Sequence, residues 1–142
     1  MPGLPEIVLS YDWKQIAALR RRNFLHGSRL LNELRSRVGG FHPAWPELSP
    51  DDVPQTLPVY ISGNSRDALY EEMNAAGFGV VSLYHTLTPS IGPEYETSHW
   101  VAAHILNLPV HQDMSLQAVE ALVAHFGVCI SAGASANRDR RR

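Results

Sequence analysis

Apolar residues recur at helical spacing across the first third of the chain. Ile16, Leu19, Asn23, Leu30, Leu34 and Val38 stand three, four or seven apart, and Phe24 and Leu31 widen the stripe. Asp12 stands where an N-cap belongs, with Gln15 three residues on as its capping-box partner. Gly39-Gly40 supply the residues expected past a helix C-terminus. The pattern predicts a helix over 12–38. At 1.5 Å per residue such a helix is about 40 Å long, and a compact domain of this size is only about 37 Å across. It therefore either bends, with Gly27 as the natural place, or overhangs the body and expects another surface.

Beyond it the pattern alternates between short strands and helices. Residues 1–10 read as extended. Residues 41–56, with Pro43, Pro46, Pro50 and Pro54 among acidic side chains, read as a loop. A strand follows over 57–61, where Pro58 points to an edge or a strand start. Asn64 or Ser65 caps a helix carrying Ala68, Leu69, Met73 and Ala76, closed by Gly77. Residues 78–83 read as a second strand, about 95–104 as a short helix and 105–110 as a third strand. Ser115 caps a last helix with Leu116, Val119, Leu122, Val123 and Phe126 on one face. The order predicts an α/β fold of α+β character: a long N-terminal helix, then a small three-stranded sheet covered by helices, mainly on one face. One domain is expected over 1–130. Residues 131–142, small, polar and basic, are expected to form a disordered tail.

Composition narrows the functions. The chain has 142 residues, 44% hydrophobic and 18% charged, with net charge −2. Without the Arg138-Asp139-Arg140-Arg141-Arg142 end, the body has 8 basic against 13 acidic residues. That balance argues against specific nucleic-acid binding. No run reads as a membrane span and no secretory leader is evident, so no membrane partner is expected. The single cysteine, Cys129, excludes an internal disulfide and a multi-cysteine zinc site. A reducing, cytoplasmic setting fits. Eleven of the twelve basic residues are arginine, and Lys14 is the only lysine.

Four segments in order carry a resemblance: Arg21-Arg22-Asn23-Phe24 in the long helix; Asn64-Ser65-Arg66-Asp67-Ala68-Leu69 after a strand; the run from Gly77 to Leu87; and Ile105-Leu106-Asn107-Leu108-Pro109-Val110-His111-Gln112-Asp113. Together they resemble the C-terminal small domain of the DegT/DnrJ/EryC1/StrS aminotransferases, over about 6–126. These are pyridoxal-phosphate enzymes, many acting on nucleotide-linked keto sugars. The resemblance implies a dimeric fold type I enzyme in which the long helix connects a large cofactor-binding domain to this small one. It also implies that Tyr84, His85 and Thr86 approach the active-site mouth and touch substrate. The plainer reading of those three is a strand end satisfying backbone groups.

The chain departs from a complete member of that family. Transamination needs a Schiff-base lysine, an acidic partner for the pyridinium nitrogen and a phosphate cup. Lys14, two residues past a helix cap, sits where side chains are wet. No cofactor is therefore expected on this chain alone and no residue is assigned a catalytic role. The expected partners are a large domain or a chain that supplies it, a second copy of this chain, and a small sugar substrate. Two other classes are expected to compete. One is a stand-alone binding or interaction module without chemistry. The other is a histidine metal site built on His111 and Asp113, with His99, His104, Glu94 or Glu96. Five residues separate His99 from His104, which puts them on different helix faces. Arg20-Arg21-Arg22 reads as a solvated face with one arginine pairing to a neighbouring domain, and Cys129 as an inert thiol.

Overall fold

A computed structural model describes residues 11–45, 47–62, 66–83 and 85–139, with side chains to 133. The elements are α1 (Trp13–Arg35), β1 (Phe41–Pro43), β2 (Thr56–Ile61), α2 (Arg66–Ala75), α3 (Glu96–His104), β3 (Ile105–Pro109) and α4 (Leu116–Asp139). The three strands form one antiparallel sheet in the order β1-β2-β3. A long N-terminal helix and a small helix-covered sheet are thus present as the pattern predicted. Residues 1–10 and the expected cap at Asn64 or Ser65 lie outside the described residues.

Helix α1 begins at its predicted cap, where the Asp12 carboxylate accepts from the Gln15 N–H at 3.0 Å. It ends at Arg35, three residues short of Val38. The Ser36 hydroxyl and the Arg37 guanidinium donate to the Glu33 carbonyl and satisfy the frayed end. Gly27 lies within the continuous helix and serves close approach. A Cβ there would stand 2.9 Å from a Leu57 methyl and 3.3 Å from one of Val119. At that point α1 packs against both β2 and α4.

Period-two alternation sorts β2 into two faces. Leu57, Val59 and Ile61 are buried, with Leu106 and Leu108 opposite them and Phe41 beside Ile61. Helices α1, α2 and α4 cover this inner face with Phe24, Leu31, Leu69, Met73, Leu122 and Phe126. The Phe41 and Phe126 rings meet edge to face at 5.0 Å. Thr56, Pro58, Tyr60, Ile105 and Asn107 share the outer face.

Four expectations are corrected. The loop over 41–56 begins with strand β1, too short and proline-rich to signal itself. Pro58 lies in the central strand, and its missing N–H is what ends β1. Ala44 donates to the Pro58 carbonyl at 2.9 Å, but the return bond would need a proline N–H. The strand expected over 78–83 is a single bridge, Val81 to Asn107. Gly77 and Gly79, at φ 84° and 63°, interrupt extension there. Phe78 and Gly77 donate to Met73 and Asn74 carbonyls and close α2 in a Schellman turn. Finally, the expected disordered tail from 131 is helical through Asp139, and 140–142 lie outside the described residues.

By length and composition Leu116–Gly133 could cross a membrane, with a mean hydropathy of 1.4. Here Val119, Leu122, Val123, Phe126, Cys129 and Ile130 are buried among the other elements. Its apolarity supplies the core.

Candidate functional site

The chain leaves the sheet at Ala44, and the segment to Thr56 returns across the outer face of β2. Between segment and sheet lies an open cavity of about 370 Å³. Trp45, Leu48 and Val53 form one wall. Pro58, Tyr60 and Asn107 line it from the sheet, and Leu83 also lines it. Trp45 is 59% exposed, a large aromatic face left to solvent. Tyr60 extends this surface through Trp100, at 5.1 Å between ring centres, and Trp100 stacks on His104 at 4.5 Å.

Two of the three consecutive arginines hold this wall. Arg21 donates to the carbonyls of Ser49 at 2.8 Å and Asp52 at 2.5 Å. Arg20 donates to the Pro54 carbonyl at 3.5 Å and to the Gln112 side chain at 2.8 Å. Arg22 and buried Asn23 donate to the Met114 carbonyl, and Asn23 reaches the His111 carbonyl at 2.7 Å. All three arginines bind groups of this chain. A guanidinium aimed at backbone carbonyls fixes a loop that has no ladder of its own.

Asn107 is the unusual member of the site. It is 3% exposed, on the central outer face. Its main chain is spent on Val81, with bonds of 2.8 and 3.0 Å. Its Oδ1 accepts from the Thr56 hydroxyl at 3.0 Å. Its Nδ2 is buried without a partner. Sequence reasoning missed it, although one polar residue inside an apolar strand was a visible signal. Also missed was Arg66, 8% exposed, which donates to the Ala102 and Ala103 carbonyls and ties α2 to the end of α3.

Of the expected substrate-contact residues, Tyr84 lies outside the described residues. His85 and Thr86 are exposed, and His85 turns its ring back to the Ser82 carbonyl. Neither lines the cavity; their neighbour Leu83 does. The histidine candidates do not converge. His111 pairs with Asp113 at 3.0 Å on the surface, His99 binds the Gly92 carbonyl and His104 the Trp100 carbonyl. Among the described residues no three His, Cys, Asp or Glu side chains gather to hold a metal. Cys129 is buried against Leu69 and Ile130. Burial first, then the adjacent Glu72 carboxylate, pushes its thiol up to about 11, which keeps it protonated and unreactive.

Pyridoxal phosphate does not fit the cavity. No lysine, arginine or histidine is among its described lining residues. Lys14 stands exposed on the first turn of α1.

No family model and no curated protein matches the chain. The solved structures similar in fold include two aminotransferases. The aminotransferase TlmJ from Streptoalloteichus hindustanus superposes with TM-score 0.62 at 18% identity, over 84% of this chain and 33% of its own. A DegT DnrJ EryC1 StrS aminotransferase from Brucella abortus gives TM-score 0.56 at 20% identity, over 78% of this chain and 30% of its own. The chain thus has the fold of about a third of each of those enzymes.

Proposed function

We propose that this chain is the C-terminal small domain of a pyridoxal-phosphate-dependent sugar aminotransferase of the DegT/DnrJ/EryC1/StrS type. Its role is to close over an active site whose lysine and phosphate cup belong to other polypeptide. The segment 84–86 contributes substrate contacts at the mouth, and the setting is cytoplasmic. One observation carries the reading: most of the chain takes the fold of one third of such enzymes, while its sole lysine stands exposed on a first turn.

Two features support a missing neighbour. No residue of the first ten in α1 is buried, and Trp13 is 56% exposed. Trp45, Tyr95 and Trp100 add half-exposed aromatic rings. Such surfaces are the ordinary mark of an interface. They face a large cofactor-binding domain in the proposed enzyme, and in its absence they favour pairing of this chain with itself.

The test is a chimaera. The chain replaces the matching third of the Brucella abortus enzyme, and amino transfer is compared with the same enzyme lacking that third. The expected result is cofactor binding and transfer above the truncated form. The isolated chain, given pyridoxal phosphate and reduced with borohydride, is expected to carry no label. Stoichiometric label on Lys14 of the isolated chain would falsify the proposal.

A further inference from the structure

We propose that the groove between α1 and α4 is a self-pairing surface. A second copy of this chain docks there about a two-fold axis, and Val128 of each copy enters the groove of the other. The inference does not require the aminotransferase reading. The groove lies on the helical side of the sheet, away from the outer-face cavity and its aromatic rings.

The two helices run side by side in the same direction. Gly27 lies beside Val119, His26 pairs with Glu120 at 3.0 Å, Leu34 packs on Gly127, and Gly40 stands next to Ile130. Between them they leave a groove of about 530 Å³. Leu30 and Leu34 from α1, and Val123 and Gly127 from α4, line it with apolar surface. Ala124 and Val128 stand exposed along its α4 side. Val128, at 65%, is the most exposed large apolar side chain among the described residues. A scattered surface valine needs no explanation, but one continuous with an apolar groove makes a patch.

Size and charge along the groove choose the occupant. One end carries Glu120, half-exposed although it pairs with His26. The other end carries Arg37, exposed, whose Nε donates to the Glu33 carbonyl. A second copy can be turned over about an axis that lies in the interface, perpendicular to the helices and level with the midpoint of 124 and 128. The two α4 helices then run antiparallel. Val128 of each copy meets Ala124 of the other, large against small. Glu120 of each copy comes to the Arg37 end of the other, negative against positive. A two-fold axis along the helices would instead set like charge beside like. The surface is therefore its own complement in size and in sign, which is what an isologous pair requires.

The area sets the strength. The span Leu116–Gly133 is about 27 Å long, and two adjacent helices make a face about 20 Å wide. Pairing covers about 1,000 Å² over the two copies, the lower bound for a specific interface. The pair is accordingly weak, with dissociation in the micromolar range.

The test is sedimentation equilibrium of the full 142-residue chain and its variants. The chain is expected to interconvert between monomer and dimer at micromolar concentration. Val128→Glu is expected to weaken pairing by at least about tenfold, with an unchanged circular dichroism spectrum. Glu120→Lys and Arg37→Glu each set like charges together twice in the pair, and each is expected to weaken it by roughly three- to tenfold. The double variant Glu120→Lys, Arg37→Glu restores opposite charges across the interface and is expected to recover wild-type pairing. Losses that merely add in the double variant overturn the proposal. So does pairing that Val128→Glu leaves untouched. A monomer at millimolar chain also overturns it and leaves the groove to a helix of another protein. Trp100→Ala, on the outer face, is expected to leave pairing unchanged. If it dissociates the pair and Val128→Glu does not, the aromatic face is the contact and the proposal fails. If a charge variant does not fold, Val128→Glu decides, because that side chain stands mostly in solvent. No cofactor and no second domain enters the measurement, so its failure leaves the chimaera result standing, and the reverse holds too.

Discussion

The two faces of the sheet are built from the same three strands and are opposites in chemistry. The inner face is dry. Leu57, Val59, Ile61, Leu106 and Leu108 lie there under three helices, each 1% exposed or less. The outer face carries Thr56, Pro58, Tyr60 and Asn107, under a segment with no helix or strand between β1 and β2. The inner face repays packing, which is non-directional and grows with buried area. The outer face keeps a buried amide without a partner and a ring of aromatic surface, neither of which a stability-driven design would retain. The difference separates the residues that hold this chain together from those available for binding.

The strongest way to break that comparison is to remove a large side chain from each face. Phe126 is fully buried and packs edge to face on Phe41. Phe126→Ala is expected to lower unfolding free energy by roughly 3–5 kcal/mol, read by urea denaturation. Trp45→Ala on the outer face is expected to cost below about 0.5 kcal/mol, as for an exposed position. Equal costs for the two would show that the outer wall carries the fold as well, and the division above would fail.

That division also explains what the sequence made legible. The inner face writes a period into the chain. Helix α1 was readable from its stripe and its Asp12 cap, α4 from Val119, Leu122, Val123 and Phe126, and two strands from apolar runs bounded by turns. The outer face writes no period. Strand β1 has three residues, one of them proline, and forms only because Phe41 is held in the core opposite Ile61. Residues 78–83 carry a strand-like apolar run, but Gly79 takes a positive φ and the pairing stops at one bridge. Helix α4 runs on past 130 through residues whose composition suggested a tail. The triple arginine was visible as a cluster, yet its targets lie 28–92 residues away, which no local pattern encodes. Asn107 could be seen as a polar interruption, but its lack of a partner belongs to the assembled sheet alone.

A second test sharpens the inner side by measuring how dry it is. Cys129 is 4% exposed, and its thiol is pushed from 9.0 up to about 11 by burial, with the Glu72 carboxylate adding to the rise. The unfolded chain therefore loses this proton at lower pH than the folded one. The contribution is at full value below pH 9, falls as pH climbs from 9 towards 11, and is flat above. Each pKa unit is worth about 1.4 kcal/mol, which bounds the loss at roughly 1–2 kcal/mol once access of water to the helix surface is discounted. Cys129→Ala removes the titrating group. The stability difference between wild type and this variant is expected to shrink across that window. A difference that stays constant to pH 11 would mean that the thiolate is tolerated there and that the inner face admits water.

The smallest effect probes the outer side. Arg21 holds the cavity wall through two backbone carbonyls, at Ser49 and Asp52. Its guanidinium is partly exposed, so the bonds compete with water and are worth less than buried charged ones. Arg21→Ala is expected to cost about 1 kcal/mol in global stability. Its larger effect should be local. Amide exchange is expected to quicken across 49–55 while the β2 and β3 amides keep their protection, because the inner face is untouched. Arg21→Lys is expected to restore little, since one ammonium lacks the planar fork that spans two carbonyls. Protection lost equally in the wall and in the strands would join the two faces into one cooperative unit. Protection unchanged in both would show that packing of Leu48 and Val53, rather than the arginine, keeps the cavity open.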